Sequence, residues 1–243
     1  MYLAVLFLML LFGVAIELIQ SGLHREASMD DLYKDFYGII SGLGFVMFVR
    51  QKKARNRIFS LVFSFAILFL GVGSLFQLGW HYVQRDSAFP VLVDFDKNWS
   101  ASFVRFNNTE LLGHANTERT NNEGFYRIRF DVAQYPGVSV IEPEENWSGF
   151  NRLHFDVYSD NASDIEMVLR IHDQLHTQAH SDRFNKVYVI RHGLNKIDVN
   201  LTDVRKAPID RELDLMNIAG VEFFLINSKT SVFLEVSNIF LAF

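Results

Sequence analysis

Residues 152–159 read RLHFDVYS, and alternation is their whole pattern: Leu153, Phe155 and Val157 against His154, Asp156 and Tyr158. Apolar residues at every second position share one face of a β-strand, because successive side chains point to opposite sides of the pleat. One face of this strand is built for a core and the other for water. The same texture returns in FYRIRFDV (125–132), IEMVLRIHD (165–173), NKVYVIRH (185–192), NKIDVNL (195–201), VEFFLIN (221–227) and VFLEVSNIFLAF (232–243). In the first of these, Tyr126, Ile128, Phe130 and Val132 share a face. SDNAS (159–163) and HGLN (192–195) read as turns, and residues 202–218 as a loop with a short helical turn. Many short strands of period two predict an all-β domain over residues 85–243, an antiparallel β-sandwich or jelly roll.

Upstream the texture changes. The chain has 243 residues, 49% of them hydrophobic, but residues 1–84 hold most of the continuous apolar sequence. Spanning about 30 Å of hydrocarbon takes roughly 20 helical residues. MYLAVLFLMLLFGVAIELI (1–19) is that long and carries one charge, Glu17. Residues 58–82 form a second span, with Trp80 and Tyr82 where interfacial aromatics belong. Between them FYGIISGLGFVMFV (36–49) is short; we read 34–49 as a third span, in which Gly38, Gly42 and Gly44 offer a small-xxx-small surface to a neighbouring helix. A cleaved signal peptide is the rival reading of the first run, but no Lys or Arg precedes it and it ends in ELIQSG.

RQKKARNR (50–57) carries five Lys/Arg in eight positions. The excess of positive charge in cytoplasmic loops places this segment on the cytoplasmic side of a membrane. The N-terminus is then cytoplasmic, and everything after Tyr82 is periplasmic, or extracytoplasmic. With 28 acidic against 23 basic side chains, a net charge of −5 gives no reason to expect nucleic acid as a partner. The chain has no cysteine, which excludes disulfides, thiolate metal sites and thiol catalysis.

A polar cluster stands where the first two spans meet: Glu17, Gln20, Arg25, Ser28, Asp31 and Asp35. Ser28 with Asp31 suits a helix start, but a carboxylate at the depth of Glu17 costs several kcal/mol unless it is paired. The spacing E17-x-x-Q20, R25-x-x-S28, D31-x-x-x-D35-x-x-G38 resembles the VanZ-like family of small bacterial membrane proteins over about residues 10–45. Asp35 stands where that family has Asn, and the two helices that precede this pair in the family are missing. The resemblance implies an association with the cell envelope and supplies no mechanism. A structural network tying two helices together and a functional site both remain open.

The β region carries a second resemblance. NWSGFNRLHFDVYSDN (146–161), SDRFNKVYVI (181–190), HGLNKIDVNLTDV (192–204) and the final EVSNIFL (235–241) are similar, in order and spacing, to carbohydrate-binding modules of the galactose-binding-like jelly-roll superfamily, over about 90–243. The resemblance implies that fold and a glycan or polysaccharide ligand. Such modules often hold a structural calcium; Ser237 stands where Asp is common in the last strand, which weakens that implication, and no cofactor is expected.

Sugar recognition needs flat aromatic faces and planar polar groups at fixed positions. Arg170 and His172 alternate with Leu169 and Ile171, so they project away from the core. With Asp173, His176, Asp182, Arg183 and Asn185 they form the candidate ligand-binding set, and Tyr158, Tyr188 or Trp147 would supply stacking. The bland alternative makes Asp182, Arg183 and Asn185 a salt-bridged loop that holds strand register, and makes Trp99 and Trp147 core residues. His172, His176 and His180 recur every four residues, but they leave a strand through a loop, where helical spacing carries no meaning for zinc; no metal site is expected. G-x-S-x-G, H-E-x-x-H and phosphate-loop signatures are absent, so no catalytic residues are assigned. The reading is a membrane-anchored, non-catalytic glycan-binding protein of the cell envelope, self-associating through its helices. A protein-docking module in an envelope assembly, and an intramembrane activity at Glu17, Arg25 and Asp31, are the alternatives.

Overall fold

A computed structural model describes residues 29–115 and 124–243, with side chains from Tyr33 onward. The predicted span 1–19, residues Glu17, Gln20, Arg25 and Ser28, and the side chain of Asp31 lie outside the described residues. The chain divides into two compact units, Met1–Gly79 and Trp80–Phe243.

In the first unit, helix α1 (Met29–Arg50) and the start of helix α2 (Ala54–Ala88) run against one another. At 1.5 Å per residue, the 35 residues of α2 reach about 52 Å. Among the described residues α2 alone is long and apolar enough to cross a membrane by length and composition; α1 begins in the charged stretch MDDLYKD and falls short of that test. The seam between the helices is small and polar. The Ser41 hydroxyl donates to the Ser64 carbonyl (2.9 Å) and the Ser64 hydroxyl donates to the Ser41 carbonyl (2.6 Å), both of them buried. A Cβ on Gly44 would lie 3.2 Å from that of Ser64, and one on Gly71 would lie 2.9 Å from that of Tyr37. Among the described residues Gly38 and Gly42 have nothing within 4 Å of where a Cβ would stand, and between α1 and α2 it is Gly44 that lets the backbones approach.

Among the described residues the second unit has twelve strands: β1 (Val91–Val93), β2 (Val104–Asn107), β3 (Thr109–His114), β4 (Tyr126–Phe130), β5 (Gly137–Ile141), β6 (Arg152–Ser159), β7 (Ile165–Asp173), β8 (Phe184–Ile190), β9 (Gly193–Asn200), β10 (Ile218–Leu225), β11 (Val232–Val236) and β12 (Ile239–Ala242). One sheet runs β1-β12-β6-β11-β4-β3 with β9 on the other side of β6; the second runs β2-β5-β10-β7-β8, and every pairing is antiparallel. This is a jelly-roll β-sandwich. Leu153, Phe155 and Val157 from one sheet and Met167, Leu169 and Ile171 from the other are all 0% exposed and form the middle of one core. Burying each such side chain contributes about 1.5–3 kcal/mol.

The alternation of β6 predicts its inner face residue for residue. The last run, 232–243, is two strands rather than one. Val236 pairs with Val157 in β6, while Leu241 pairs with Leu153, so one extra residue separates β11 from β12. Core residues Leu234 and Val236 are even-numbered and Ile239 and Leu241 odd-numbered, and only a bulge keeps both pairs inside. Ser237 pins it: its N–H donates to the Asp156 carbonyl (3.0 Å) and its hydroxyl accepts from the Asp156 N–H (2.8 Å). Residues 202–218 contribute the end of a short helix, α3 (Leu201–Arg205), capped by the Asn200 side chain, which accepts from Thr202 N–H.

The sequence places the start of the β domain at residue 85. The five residues of α2 before it, 80–84, group with the sandwich, and side chains of this stretch bond there. His81 Nδ1 lies 2.7 Å from the Ser102 hydroxyl, Tyr82 donates to the Glu142 carboxylate, and Arg85 donates to the Glu142 carbonyl at 2.7 Å with its guanidinium over the Tyr82 and Phe103 rings.

Gly137 faces β10 so closely that a Cβ there would stand 2.4 Å from Phe224 Cβ and 2.8 Å from the Phe223 carbonyl oxygen. Gly137→Ala is expected to destabilise the sandwich by about 1–3 kcal/mol through forced displacement of β10. Urea unfolding of the detergent-solubilised full chain checks this; an unchanged midpoint would contradict the packing described.

Candidate ligand face on the five-stranded sheet

The antiparallel register of the five-stranded sheet sets side chains abreast. Glu222 in β10 pairs with Ser139 in β5 and with Arg170 in β7, and Arg170 pairs with Asn185 in β8. These four side chains form a polar row across four strands on the outer face. The next row pairs Gly220 with His172, and the row on the other side carries Phe224 beside Gly137 and Val168. Gly220 has a local reason. A Cβ there would lie 2.6 Å from His172 Cε1, so only glycine lets the imidazole lie over β10.

Within the polar row, Arg170 donates to Glu222 (3.0 Å) and to the Asn185 side-chain oxygen (3.4 Å), and its guanidinium sits 4.9 Å from the Phe224 ring centroid. Phe224 meets Tyr135 edge-to-face at 6.0 Å, and Tyr135 is 50% exposed. Asn107, Tyr135, Ser139, Arg170, Glu222 and Phe224 line a depression of about 170 Å³. It joins a ring available for stacking to a fork of planar donors.

Beyond Arg170 lies a second group. The His172 and His176 rings are 5.0 Å apart, and Arg183 is close enough to depress the protonation of His172. Burial comes first in pulling His172 below the usual imidazole range; His176, Arg170 and Arg183 add to it and Glu222 opposes it. Burial, then Arg170, likewise lowers the Arg183 guanidinium.

The other expected site residues fall elsewhere. Asp173 faces inward at 1% exposure, and its carboxylate accepts from Arg211 Nη1 (2.5 Å), Arg211 Nη2 (2.7 Å) and Asp214 N–H (2.8 Å). Asp182 accepts from Arg211 Nε (2.5 Å) and Thr177 N–H (2.8 Å). Both carboxylates are therefore spent on fixing the loops around the sheet end. Trp147 is fully buried, its indole N–H donating to the Glu144 carbonyl (2.7 Å), and Trp99 is 3% exposed; neither offers a face to a ligand. Tyr158 stands on the other sheet, where its hydroxyl donates to Asp160, and so faces away from Arg170. Tyr188 pairs with the buried Met167 and leans on the core, where burial pushes its hydroxyl up to about 12. His180 sits in a 3-10 turn (His180–Asp182), and among the described residues no group of three or more His, Asp or Glu converges as metal ligands. Asp35 is exposed on α1.

Tyr135, Ser139, Asn107, Glu222 and Arg211 went unassigned in the sequence. Glu222 had a signal: a lone carboxylate inside the apolar run VEFFLI has to find a cation across the ladder. Tyr135 and Arg211 sit in loops, where no periodicity marks them.

No protein-family model matches the chain, and no curated protein matches it either. Solved structures do. A family 11 carbohydrate-binding module from Clostridium thermocellum, in complex with a β-1,3-1,4-mixed-linked tetrasaccharide, is 19% identical over 63% of this chain and 94% of that one, with a TM-score of 0.46. An exo-β-agarase is 18% identical over 62% of this chain but only 24% of its own length, with a TM-score of 0.50. A family 28 module specific for non-crystalline cellulose is 16% identical over 64% and 94%, with a TM-score of 0.42. At such identities the likeness concerns the fold alone.

The Arg211 fork has a measurable consequence. It helps to hold Asp182 at about 2, against about 3.9 for a free Asp side chain, and outweighs burial to keep Asp173 below its ordinary value. A carboxylate whose folded value is depressed stabilises the fold above its unfolded value and loses that effect as pH falls through the folded one. Stability is thus expected to fall from about pH 4 towards pH 2. Arg211→Ala should cost about 3 kcal/mol at pH 7, since it strands the buried Asp173, and should flatten the acid limb. Urea unfolding at pH 7 and pH 3 measures both.

Proposed function

We propose that the protein is a membrane-anchored, non-catalytic glycan-binding protein whose ligand lies on the outer face of the five-stranded sheet. The observation that carries the reading is the polar row Ser139–Glu222–Arg170–Asn185 laid beside the exposed Tyr135 ring. A sugar presents an apolar C–H face and equatorial hydroxyls, and this surface presents a ring and a fork of donors and acceptors at matching scale. The resemblance of residues 90–243 to carbohydrate-binding modules points the same way. Glycoside hydrolysis commonly needs two carboxylates about 5–10 Å apart across the scissile bond. Glu222 is the single carboxylate lining the depression among the described residues, and Arg170 holds it.

Anchoring is proposed from α2, whose Phe59, Phe65, Phe69 and Phe76 are at least 60% exposed, a surface that lipid would cover and water would not. The basic segment 50–57 supports a cytoplasmic loop before α2 and a periplasmic sandwich after it. The VanZ-like spacing of residues 10–45 supports a place in the envelope of a bacterium.

Arg170→Ala and Tyr135→Ala are each expected to weaken saccharide binding about tenfold or more, the loss of a charge-assisted hydrogen bond or of a stacking face. Tyr158→Ala on the opposite sheet should change nothing. A glycan array with the full chain in detergent, followed by titration calorimetry, checks this; equal loss from all three variants, or binding to no saccharide, refutes the assigned face. For topology, a phosphatase fused after Phe243 should be active and a cytosolic fluorescent reporter dark.

A further inference from the structure

Three polar atoms at the loop end of this face are buried and have no hydrogen-bond partner: His172 Nδ1, His176 Nδ1 and Arg183 Nε. Buried polar atoms without partners are costly, so such groups are normally satisfied by something. Here they are neighbours. The His172 and His176 rings are 5.0 Å apart, and both Arg170 and Arg183 act on His172. The charges do not balance. Glu222 is the carboxylate that faces these groups, and Arg170 already takes it at 3.0 Å. Arg183 thus feels the charge of a second guanidinium, Arg170, and has no carboxylate of its own among the described ion pairs. A metal cation is a poor occupant, since a guanidinium beside two imidazoles repels it. An oxyanion matches every feature: it accepts from several N–H groups at once and restores neutrality.

We propose that the His172–His176–Arg183 corner is a subsite for an anionic substituent of the glycan, so that the ligand is an acidic polysaccharide bearing carboxylate (uronate) or sulfate ester groups. The inference rests on the glycan-binding reading and names the class of ligand within it. Arg170 and Asn185 hold sugar hydroxyls in the adjoining row, while the corner takes the charge. Burial holds the His172 imidazole below its usual range, and it becomes a stronger partner for the anion once protonated. Binding of an acidic ligand is therefore coupled to proton uptake by His172, against the opposing effects of His176, Arg170 and Arg183 and with the help of Glu222.

The experiment is titration calorimetry of the full chain in detergent with four ligands: oligogalacturonate, the same oligomer fully methyl-esterified, a sulfated galactan oligomer, and its desulfated form. The esters and the desulfated oligomer keep the sugar and remove the charge. The expected result is at least tenfold tighter binding of one or both charged ligands than of its neutral counterpart, and which of the pair binds separates uronate from sulfate. Affinity for the charged ligand should rise severalfold from pH 7.5 to pH 5.5, where both ligands stay ionised, and the rise should shrink in His172→Asn. Arg183→Gln should bring the charged ligand down to its neutral counterpart with an unchanged unfolding midpoint; if that variant unfolds, the wild-type comparison decides by itself. Equal affinity for charged and neutral forms overturns this inference and leaves the glycan-binding reading standing. Binding of none of the four, with an empty glycan array, overturns both.

Discussion

The sheet end that carries the candidate site depends on one buried ion pair. Asp173 ends β7 pointing into the protein at 1% exposure, where a lone carboxylate would cost several kcal/mol. Arg211 closes on it with both terminal nitrogens, and the same guanidinium turns Nε to Asp182 while Asp214 N–H supplies a further donor. One arginine therefore ties three chain segments together: the end of β7, the 174–183 loop and the loop before β10. His176 and Arg183 belong to the segment so fixed. Their nitrogens, without hydrogen-bond partners among the described residues, belong to a segment anchored by other contacts, the arrangement that a binding site needs if its polar groups are not to collapse onto each other.

Periodicity explains which parts of this were readable beforehand. β4, β6, β7, β9 and β10 alternate or run apolar through their inner faces, and such strands declare themselves. β1, β2, β3 and β5 did not stand out in the sequence. β1 has three residues, and β5 begins with the glycine that approaches β10. The bulge at Ser237 is hidden for a different reason: NIFLAF looks like more of the same strand until the partners in β6 show that core residues have changed parity. Pairing, not composition, reveals it.

The candidate site divides along the same line. Arg170, His172 and Asn185 could be placed outside because their strands alternate, and Arg183 and His176 because they sit beside them. Asp173 and Asp182 could not be told apart from them, since their partner Arg211 lies 38 and 29 residues away in a loop without a pattern. Trp147 and Tyr158 show the limit of residue type as evidence. Both are aromatic, yet one is sealed in the core and the other stands on the far sheet.

The remaining asymmetry is between the two arginines of the face. Arg170 is stacked on Phe224, bonded to Glu222 and Asn185, and thereby fixed as a planar fork. Arg183 faces the same carboxylate with that carboxylate already engaged, and it is pressed by the first guanidinium instead. An apolar residue at 183 would remove the unmatched Nε from this corner, because a buried guanidinium nitrogen without an acceptor costs stability that close packing would not. Retaining the charge there makes physical sense if a counter-ion arrives from outside, which is the part the proposed ligand would play.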